Sequence, residues 1–544
     1  MTADWDLMEV SRFFGDPPIE SDDQDQIKAL CDRLITATEE EWEHLDDPYH
    51  IQLTGVLYNL AEDFGRREGL DRVIELNERI ANRDLADVHE SIRHYQLANA
   101  YSLRDAWTGE STAYTFFDSQ DLIEAIGHAR ASVADDYRSV MDRNREIQSY
   151  VNFANLLSRT GRVCEALVWY NNAIQKNPNH PMALGNRGIC KMNYAGLLFS
   201  TNHTARFLHS AYQDFKTALE HWDDPHPHAH SNFEARMNAI EDYSDERLNI
   251  ENQDEYELGE RAFDVSYHEW VLKNHLYLNP LNDIFTHTST AHDFFHLPNM
   301  LIPDNEDFPY PGIYNQVKQE FVSARYLYYE GKSKAEESPH FSDRDVKLPD
   351  TLDYSVYGYR TEQVKAALRV SYSIFDKIAL LIDQYFGVGQ KQPSFRKVWH
   401  KNGDYTQGLA KPFKNSDNWA LNALYWIKKD FHHSISKRDE GSVVIVAHEL
   451  KSLRNAIEHD YIKVFEDGIV SEPPIREWLP DSLYDPIGKS ELRKATLQML
   501  RLARSAIIYL ALAIHHEERK KKEDNNGLSV PLAGQTNIPD ELKE

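Results

Sequence analysis

Tyr150-Val-Asn-Phe153-Ala154-Asn-Leu-Leu157-Ser-Arg-Thr-Gly161-Arg-Val-Cys164-Glu-Ala166-Leu-Val-Trp-Tyr170-Asn-Asn-Ala173-Ile-Gln-Lys-Asn-Pro178 is the stretch that decides the fold of the N-terminal half. Its large residues Tyr150, Phe153, Leu157 and Tyr170 alternate with the small Ala154, Ala166 and Ala173 at helical steps, so both kinds share one face. Gly161 and Pro178 interrupt that periodicity, because glycine tolerates a tight turn and proline cannot continue a helix. The spacing predicts two antiparallel helices joined at Gly161. The alanines allow close approach, and the aromatics fill the groove beside them.

Weaker copies flank this unit. Leu57, Leu60, Ala61 and Phe64 begin one helix pair, and Tyr95, Leu97, Ala98 and Tyr101 begin another. Downstream, Leu184 and Gly188 are followed after an insertion by Ala211, Phe215 and Ala218. The pattern resembles the tetratricopeptide repeat, with one full match and several partial ones over 25–240. Such arrays stack into a superhelix whose concave face takes a peptide or other protein ligand. A helical bundle with chance repetition is the alternative.

At 544 residues the chain exceeds one hydrophobic core, which predicts two or three domains. With 41% hydrophobic and 27% charged residues it has the balance of an ordinary soluble globular protein. The apolar run Ala506–Ile514 is far shorter than a membrane span. Met1 to Glu20 lacks the basic and apolar regions of a signal peptide. Cys31, Cys164 and Cys190 have no metal or disulfide spacing, so reduced thiols and a cytoplasmic location are expected, with no membrane and no cofactor. A net charge of -29 argues against a polyanionic partner. The charge is uneven, however: residues 359–521 hold 26 Lys and Arg against 20 Asp and Glu, and the remainder holds 33 against 68. Only the C-terminal part is basic enough to meet nucleic acid.

The expected organisation is all-α, a tetratricopeptide-like helical array followed by a C-terminal helical bundle. An N-terminal segment, 1–24, precedes the repeats of 25–240. A connector spans 241–355, with Tyr267-His-Glu-Trp270 and Leu276–Asp283 packed and Gly331–Asp350 as linker. The bundle occupies 356–522, and the polar tail 523–544 is expected to lack order. Four amphipathic segments are legible in the bundle, at about Arg360–Phe386, Asp417–Phe431, Val443–Phe465 and Ser490–Glu518.

The third of these segments carries Leu450-Lys-Ser-Leu-Arg454-Asn455-Ala456-Ile457-Glu458-His459-Asp-Tyr461. An arginine and a histidine with four residues between them, the first of these polar, resemble the HEPN signature. HEPN domains are four- to five-helix bundles with this motif on the third long helix. Tyr372-Ser-Ile-Phe-Asp376-Lys-Ile-Ala and Ser394-Phe-Arg-Lys-Val-Trp399 also resemble a HEPN branch fused to tetratricopeptide repeats. The resemblance covers roughly 260–520. It implies a homodimeric, metal-independent RNase, toxic when released, of the kind found in microbial (including antiviral) defence or stress responses. Many HEPN domains are instead non-catalytic partners of nucleotidyltransferases.

The residue chemistry agrees. RNA is cut without metal when one group deprotonates the 2'-hydroxyl, another protonates the leaving oxygen, and a cation stabilises the phosphorane; the product is a cyclic phosphate. Histidine titrates near neutrality and suits the proton transfers. The arginine fork pairs with phosphate oxygens and stays charged. Asn455 and His459 share a helical face, so the amide can orient the imidazole. Arg454 and His459 lie five residues apart, about 140° around the axis, which aims them poorly at one phosphate. A two-fold dimer with a composite site is therefore expected. Arg454, Asn455, His459 and Glu458 are the candidate catalytic residues, and Lys451, Tyr461 and Lys463 the candidate RNA contacts. The competing reading makes Arg454 and Glu458 a surface ion pair and His459 a helix cap. The protein would then be a dimeric adaptor.

Other histidines point to packing rather than metal. His292 and His296 have helical spacing, but Asp293-Phe294-Phe295 replaces the glutamate of a zinc-protease helix, and His287 stands apart. Pro225 to His230 reads as a loop, and His432 and His433 end the second bundle helix. No Walker A loop, GxGxxG or GxSxG motif occurs, which excludes nucleotide-loop, dinucleotide and serine-hydrolase chemistry.

Overall fold

Tyr150, Phe153, Ala154, Leu157, Ala166, Tyr170 and Ala173 are all buried in the computed structural model, where the sequence's repeat unit forms two helices. It describes residues 7, 24–108, 119–134, 137, 139–222, 227–244, 262–301, 308–333, 339–350, 353–431, 450, 453, 455–457, 461–467, 484–524, 529–530, 538 and 543. The fold is all-α apart from two short strand pairs among these residues.

The described residues fall into two compact units. One comprises those of Met1–Cys190 and Asp214–Glu234; the other comprises those of Lys191–Gln213, Ala235–Ser434 and Ile445–Glu544.

The first unit runs through α1 (Gln24–Thr36), α2 (Glu39–Glu43), α3 (Asp47–Asp63), α4 (Arg67–Arg79), α5 (Asp87–Trp107), α6 (Gln120–Ser132), α7 (Arg143–Arg159) and α8 (Val163–Lys176). It also holds parts of α9 (Pro181–Leu197), α10 (Thr201–Glu220) and α11 (Pro227–Ser244). Successive helices pack as pairs, α3 on α4, α5 on α6 and α7 on α8. Asp142 caps α7 by accepting from the Asn144 and Arg145 N–H groups, which satisfies two orphan donors of the first turn. Gly161 turns the chain between α7 and α8 at φ +85°, a conformation costly for a residue with a Cβ. The Tyr170 hydroxyl donates to Asn155 Oδ1 at 2.6 Å, so the aromatic is buried without an orphaned polar atom. Gly185 and Gly188 on α9 are required small for a definable reason: a Cβ there would meet the rings of Phe233 and Phe215. His228 and His230 lie in the first turns of α11, where the sequence reads as a loop; Pro227, at home in a first helical turn, starts the helix.

The second unit contains α12 (Ala262–Lys273), α13 (Tyr310–Lys332), α14 (Tyr359–Phe386), α15 (Trp419–Asp430) and α16 (Lys489–Asp524). Helix α14 packs on α13 and α16, and α16 also packs on α13 and α15. The expected connector thus supplies a core helix, and Gly331 of the expected linker closes α13 against Arg360 and Val364. Helix α16 is the central post, buried from Ala506 through Ile514. By length and composition it would cross a membrane, longer than the apolar run alone implies, yet 83% of the relevant window is buried in the protein. That burial and a buried ion pair of Arg504 with Asp283 mark a core helix.

The third bundle helix does not reach Phe465 as expected. Residues 461–465 form β2 (Tyr461–Phe465), parallel to β3 (Tyr484–Gly488) in the register Tyr461↔Tyr484 to Phe465↔Gly488. Tyr461-Ile-Lys-Val-Phe465 is rich in the aromatic and β-branched residues that suit a pleated surface, and its apolar alternation is too short to separate from helical spacing. Within the expected tail, α16 continues to Asp524, and β4 (Ser529–Val530) pairs with β1 (Met300–Leu301).

Two buried arginines fasten the segment after α12. Arg325 of α13 donates to the Leu276 carbonyl at 2.9 Å and grips both carboxylate oxygens of Asp293 at 2.9 and 2.7 Å. Arg504 of α16 donates to the Tyr277 and Asn279 carbonyls at 2.7 and 2.9 Å and to Asp283 at 2.5 Å.

Candidate active site

Asn455, Ala456 and Ile457 are helical, with Ala456 and the preceding Leu450 buried and Asn455 half-buried. Arg454, Glu458, His459 and Lys451 lie outside the described residues, as do His432 and His433. Tyr461 opens β2, and its side chain is likewise outside them.

The described residues that follow the motif form a frame. β2 begins two residues after His459. On one side it is paired with β3, whose last residue Gly488 runs directly into α16. On the other side Ser355 bridges Phe465, and the Val356 N–H donates to the Val464 carbonyl at 2.7 Å. Asp467 then accepts from the Ser490 N–H at 2.8 Å and tethers the strand's exit to the first turn of α16. β2 and its exit are thus held on three sides.

Lys463 belongs to the frame rather than to the surface. It is 3% exposed, its ammonium pairs with Asp353 Oδ2 at 2.5 Å, and it lies 4.4 Å from the Tyr484 ring centroid. In this arrangement its charge is already matched and desolvated, so it does not present a free ammonium to a phosphate.

The two stretches that carried the resemblance meet in space. Asp376 Oδ1 accepts from the Phe395 N–H at 3.1 Å. Phe375, Phe395 and Phe431 pack with centroids 4.9 to 6.3 Å apart, and the Trp399 indole donates to the Phe395 carbonyl at 2.8 Å. At the end of α15, Lys428 and Lys429 are buried, where they complement the negative pole of the helix. Lys428 Nζ lies 3.0 Å from His400 Nε2. Both ammonium groups face the Tyr425 ring, at 4.9 and 5.2 Å. Sequence spacing alone does not reveal this cationic cluster, because His400 reaches it from a separate loop.

His287, His292 and His296 occupy irregular backbone, not a helix. His292 packs on Phe294 and His296 on Phe199. Buried His203, which no motif or spacing singles out, faces Phe294 at 5.1 Å. Burial, then Arg206, His292 and His296, push its pKa down to about 4. No group of three or more His, Cys, Asp or Glu able to hold a metal exists among the described residues.

In the first unit, α5 and α7 share a polar wall. Arg145 lies over the Tyr95 ring at 4.7 Å, Asn152 Nδ2 donates to Tyr95 and Asn99 at 3.2 and 3.0 Å, and Arg159 pairs with Asp105. These side chains are half-buried.

The comparison with known families falls on the second unit. Residues 302–517 match the family model described as LA2681-like HEPN. The match supports a HEPN superfamily domain there, and it contains the whole Arg454-to-His459 motif. The matched segment takes in α13, which packs on α14 and α16. No curated protein and no solved structure matches the chain.

Proposed function

We propose that the chain is a metal-independent endoribonuclease of HEPN type, controlled by its N-terminal helical repeats. The observation that carries this reading is Arg454-Asn455-x3-His459 lying inside the segment that matches the HEPN family. His459 exchanges protons with the 2'-hydroxyl and the leaving oxygen, Arg454 stabilises the phosphorane, and Asn455 orients the imidazole. Glu458 is a further polar group of the same site, and Lys451 and Tyr461 are RNA contacts. Because Arg454 and His459 diverge by about 140° on one helix, two copies of the HEPN domain face each other to complete the site. The repeats take a protein or peptide ligand along the polar wall of α5 and α7. Ligand binding there releases the nuclease, in a microbial defence or stress setting.

The test is direct. Once triggered through its repeats, wild-type protein incubated with total RNA in EDTA should cut, leaving cyclic phosphate ends, while His459→Ala and Arg454→Ala should each lose about a hundredfold or more. Equal cutting by all three, or no cutting by any under any trigger, makes the adaptor the better reading.

A further inference from the structure

The surface beside β2 carries an unusual concentration of aromatic rings. Among the described residues with large exposed hydrophobic side chains, Phe341, Val346, Leu348, Tyr354, Tyr357 and Tyr359 all fall within one short stretch. Phe341 is 73% exposed, Tyr354 65% and Tyr357 50%. Scattered single apolar residues need no explanation, but a contiguous patch does.

The rings are held outward rather than left loose. Tyr354 has φ +58°, a left-handed conformation uncommon for a bulky residue and often a mark of function. Its neighbours over-determine it. Asp353 is fixed by its ion pair with Lys463, and Ser355 by its bridge to Phe465 and its bonds to Asp353. At the other end, Asp343 accepts from the Tyr359 N–H at 3.0 Å and caps α14. There the His340 ring lies between Phe341 and Tyr359, 4.4 and 4.5 Å from each. The result is a contiguous group of three rings, Phe341, His340 and Tyr359, with the exposed Tyr354 and Tyr357 on the chain leading into it.

Its position ties it to the motif. Residues 355–356 run antiparallel to β2, with Ser355 opposite Phe465 and Val356 bonded to Val464. The chain from Tyr354 to Tyr357 therefore advances from the end of β2 toward its beginning, two residues after His459. The length of β2 is about 13 Å at ~3.3 Å per residue.

We propose that Phe341, Tyr354, Tyr357 and Tyr359, with His340, form a base-stacking platform that holds single-stranded RNA leading into the Arg454–His459 site. The location relative to catalysis rests on the nuclease reading; the stacking does not. Composition favours RNA over a protein partner, because the patch is mainly aromatic and every base offers a π-face. Asp343 and Asp353 are engaged by the Tyr359 N–H and by the Lys463 ammonium. The cations of the stretch, Arg344 and Lys347, are matched in number by Asp345 and Asp350. Stacking rather than charge is then the source of affinity on this edge.

The experiment uses the full chain silenced by His459→Ala and a fluorescein-labelled single-stranded RNA of roughly 12 nucleotides. Anisotropy titrations compare this parent with Tyr354→Ala, Tyr357→Ala, Phe341→Ala and Tyr354→Phe. Each alanine variant should bind roughly fivefold or more weakly, while Tyr354→Phe binds as the parent. The slope of log affinity against log salt should stay unchanged, because no phosphate contact is removed. Alanine variants that bind like the parent overturn the proposal, as does a reduced salt slope. RNA-independent loss of a dimer in the same variants also overturns it, assigning the patch to a second copy. Aromatic-dependent binding in a chain that never cuts RNA keeps the platform and removes the nuclease. Cutting that ignores all three alanine changes does the reverse.

Discussion

Replacing Arg325 by methionine tests how the second unit is held together. Arg325 is 2% exposed. Its Nε donates to the Tyr267 hydroxyl at 2.9 Å, its Nη atoms hold both oxygens of Asp293, and Nη1 also serves the Leu276 carbonyl. The guanidinium also lies 5.7, 5.1 and 5.6 Å from the rings of Tyr267, Tyr277 and Phe321. Methionine keeps most of the stem's packing but removes every donor. Asp293 retains only the Leu278 N–H at 2.7 Å. Removing one partner of a buried pair costs about 3–5 kcal/mol. Asp293 keeps some contact with solvent, so the lower end applies, and the orphaned Leu276 carbonyl adds about 1–2 kcal/mol. The expected loss is about 4–6 kcal/mol.

Adding Asp293→Asn removes the stranded charge while keeping an oxygen for the Leu278 N–H, so the double variant should recover about 2 kcal/mol. The pH dependence has a definite sign. Burial pushes the Asp293 carboxyl up, but the Arg325 guanidinium and the Leu278 N–H outweigh it and leave the group below its usual range. Its stabilising contribution is present above the unfolded value of about 3.9 and is lost as pH falls through the lowered folded value. Without Arg325, burial dominates and the folded value rises. The gap between wild type and Arg325→Met should therefore narrow as pH drops toward about 4. Urea unfolding followed by circular dichroism measures all of this. A single variant losing under about 1 kcal/mol, or a double variant no better than the single, would refute the argument.

Three further outcomes follow from buried groups. Burial pushes the pKa values of His203 and His515 down to about 4, so the unfolded chain takes up protons first and stability falls between about pH 6.5 and 4, by on the order of 3 kcal/mol for each. His203→Phe should flatten that slope, and an unchanged slope would remove His203 from the account. Gly188→Ala should lower stability by about 1–3 kcal/mol despite alanine's better helix propensity, because its Cβ would sit 2.7 Å from the Phe215 ring; a raised melting temperature would show the ring yields freely. Lys463→Met should lower stability and leave the salt slope of RNA binding unchanged, since its ammonium is matched to Asp353. A slope reduced by about one would return Lys463 to the RNA surface.

The helices were legible because their signals are local. Amphipathic spacing placed the first bundle helix at 360–386 against the observed Tyr359–Phe386, and the repeat signature at 150–178 fell on α7 and α8. What escaped the sequence is long-range or short. Arg325 and Asp293 are 32 residues apart, and His203 meets Phe294 from a distant helix; no periodicity encodes such pairs. The five residues of β2 carry a strand preference too brief to outvote the helix before them. Lys463 was selected by proximity to the motif, and the strand buries it on a frame that spacing rules for helices cannot anticipate.

That substitution of a strand for the last helical turns bears on the proposed catalysis. A helix continued to Phe465 would hold the motif through its own backbone bonds and side-chain packing alone. Instead the residues after His459 enter a parallel pair whose other strand leads into α16, the central post of the unit. An imidazole that must transfer protons to a defined oxygen needs its backbone fixed to within a fraction of an ångström. In the proposed dimer the arginine of one copy must meet the histidine of the other, so an error in either backbone enters the shared site directly. Anchoring on β3, on Val356 and on the Asp467 tether to Ser490 supplies that constraint from the side where the motif ends, and it does so with backbone pairing rather than with further charges.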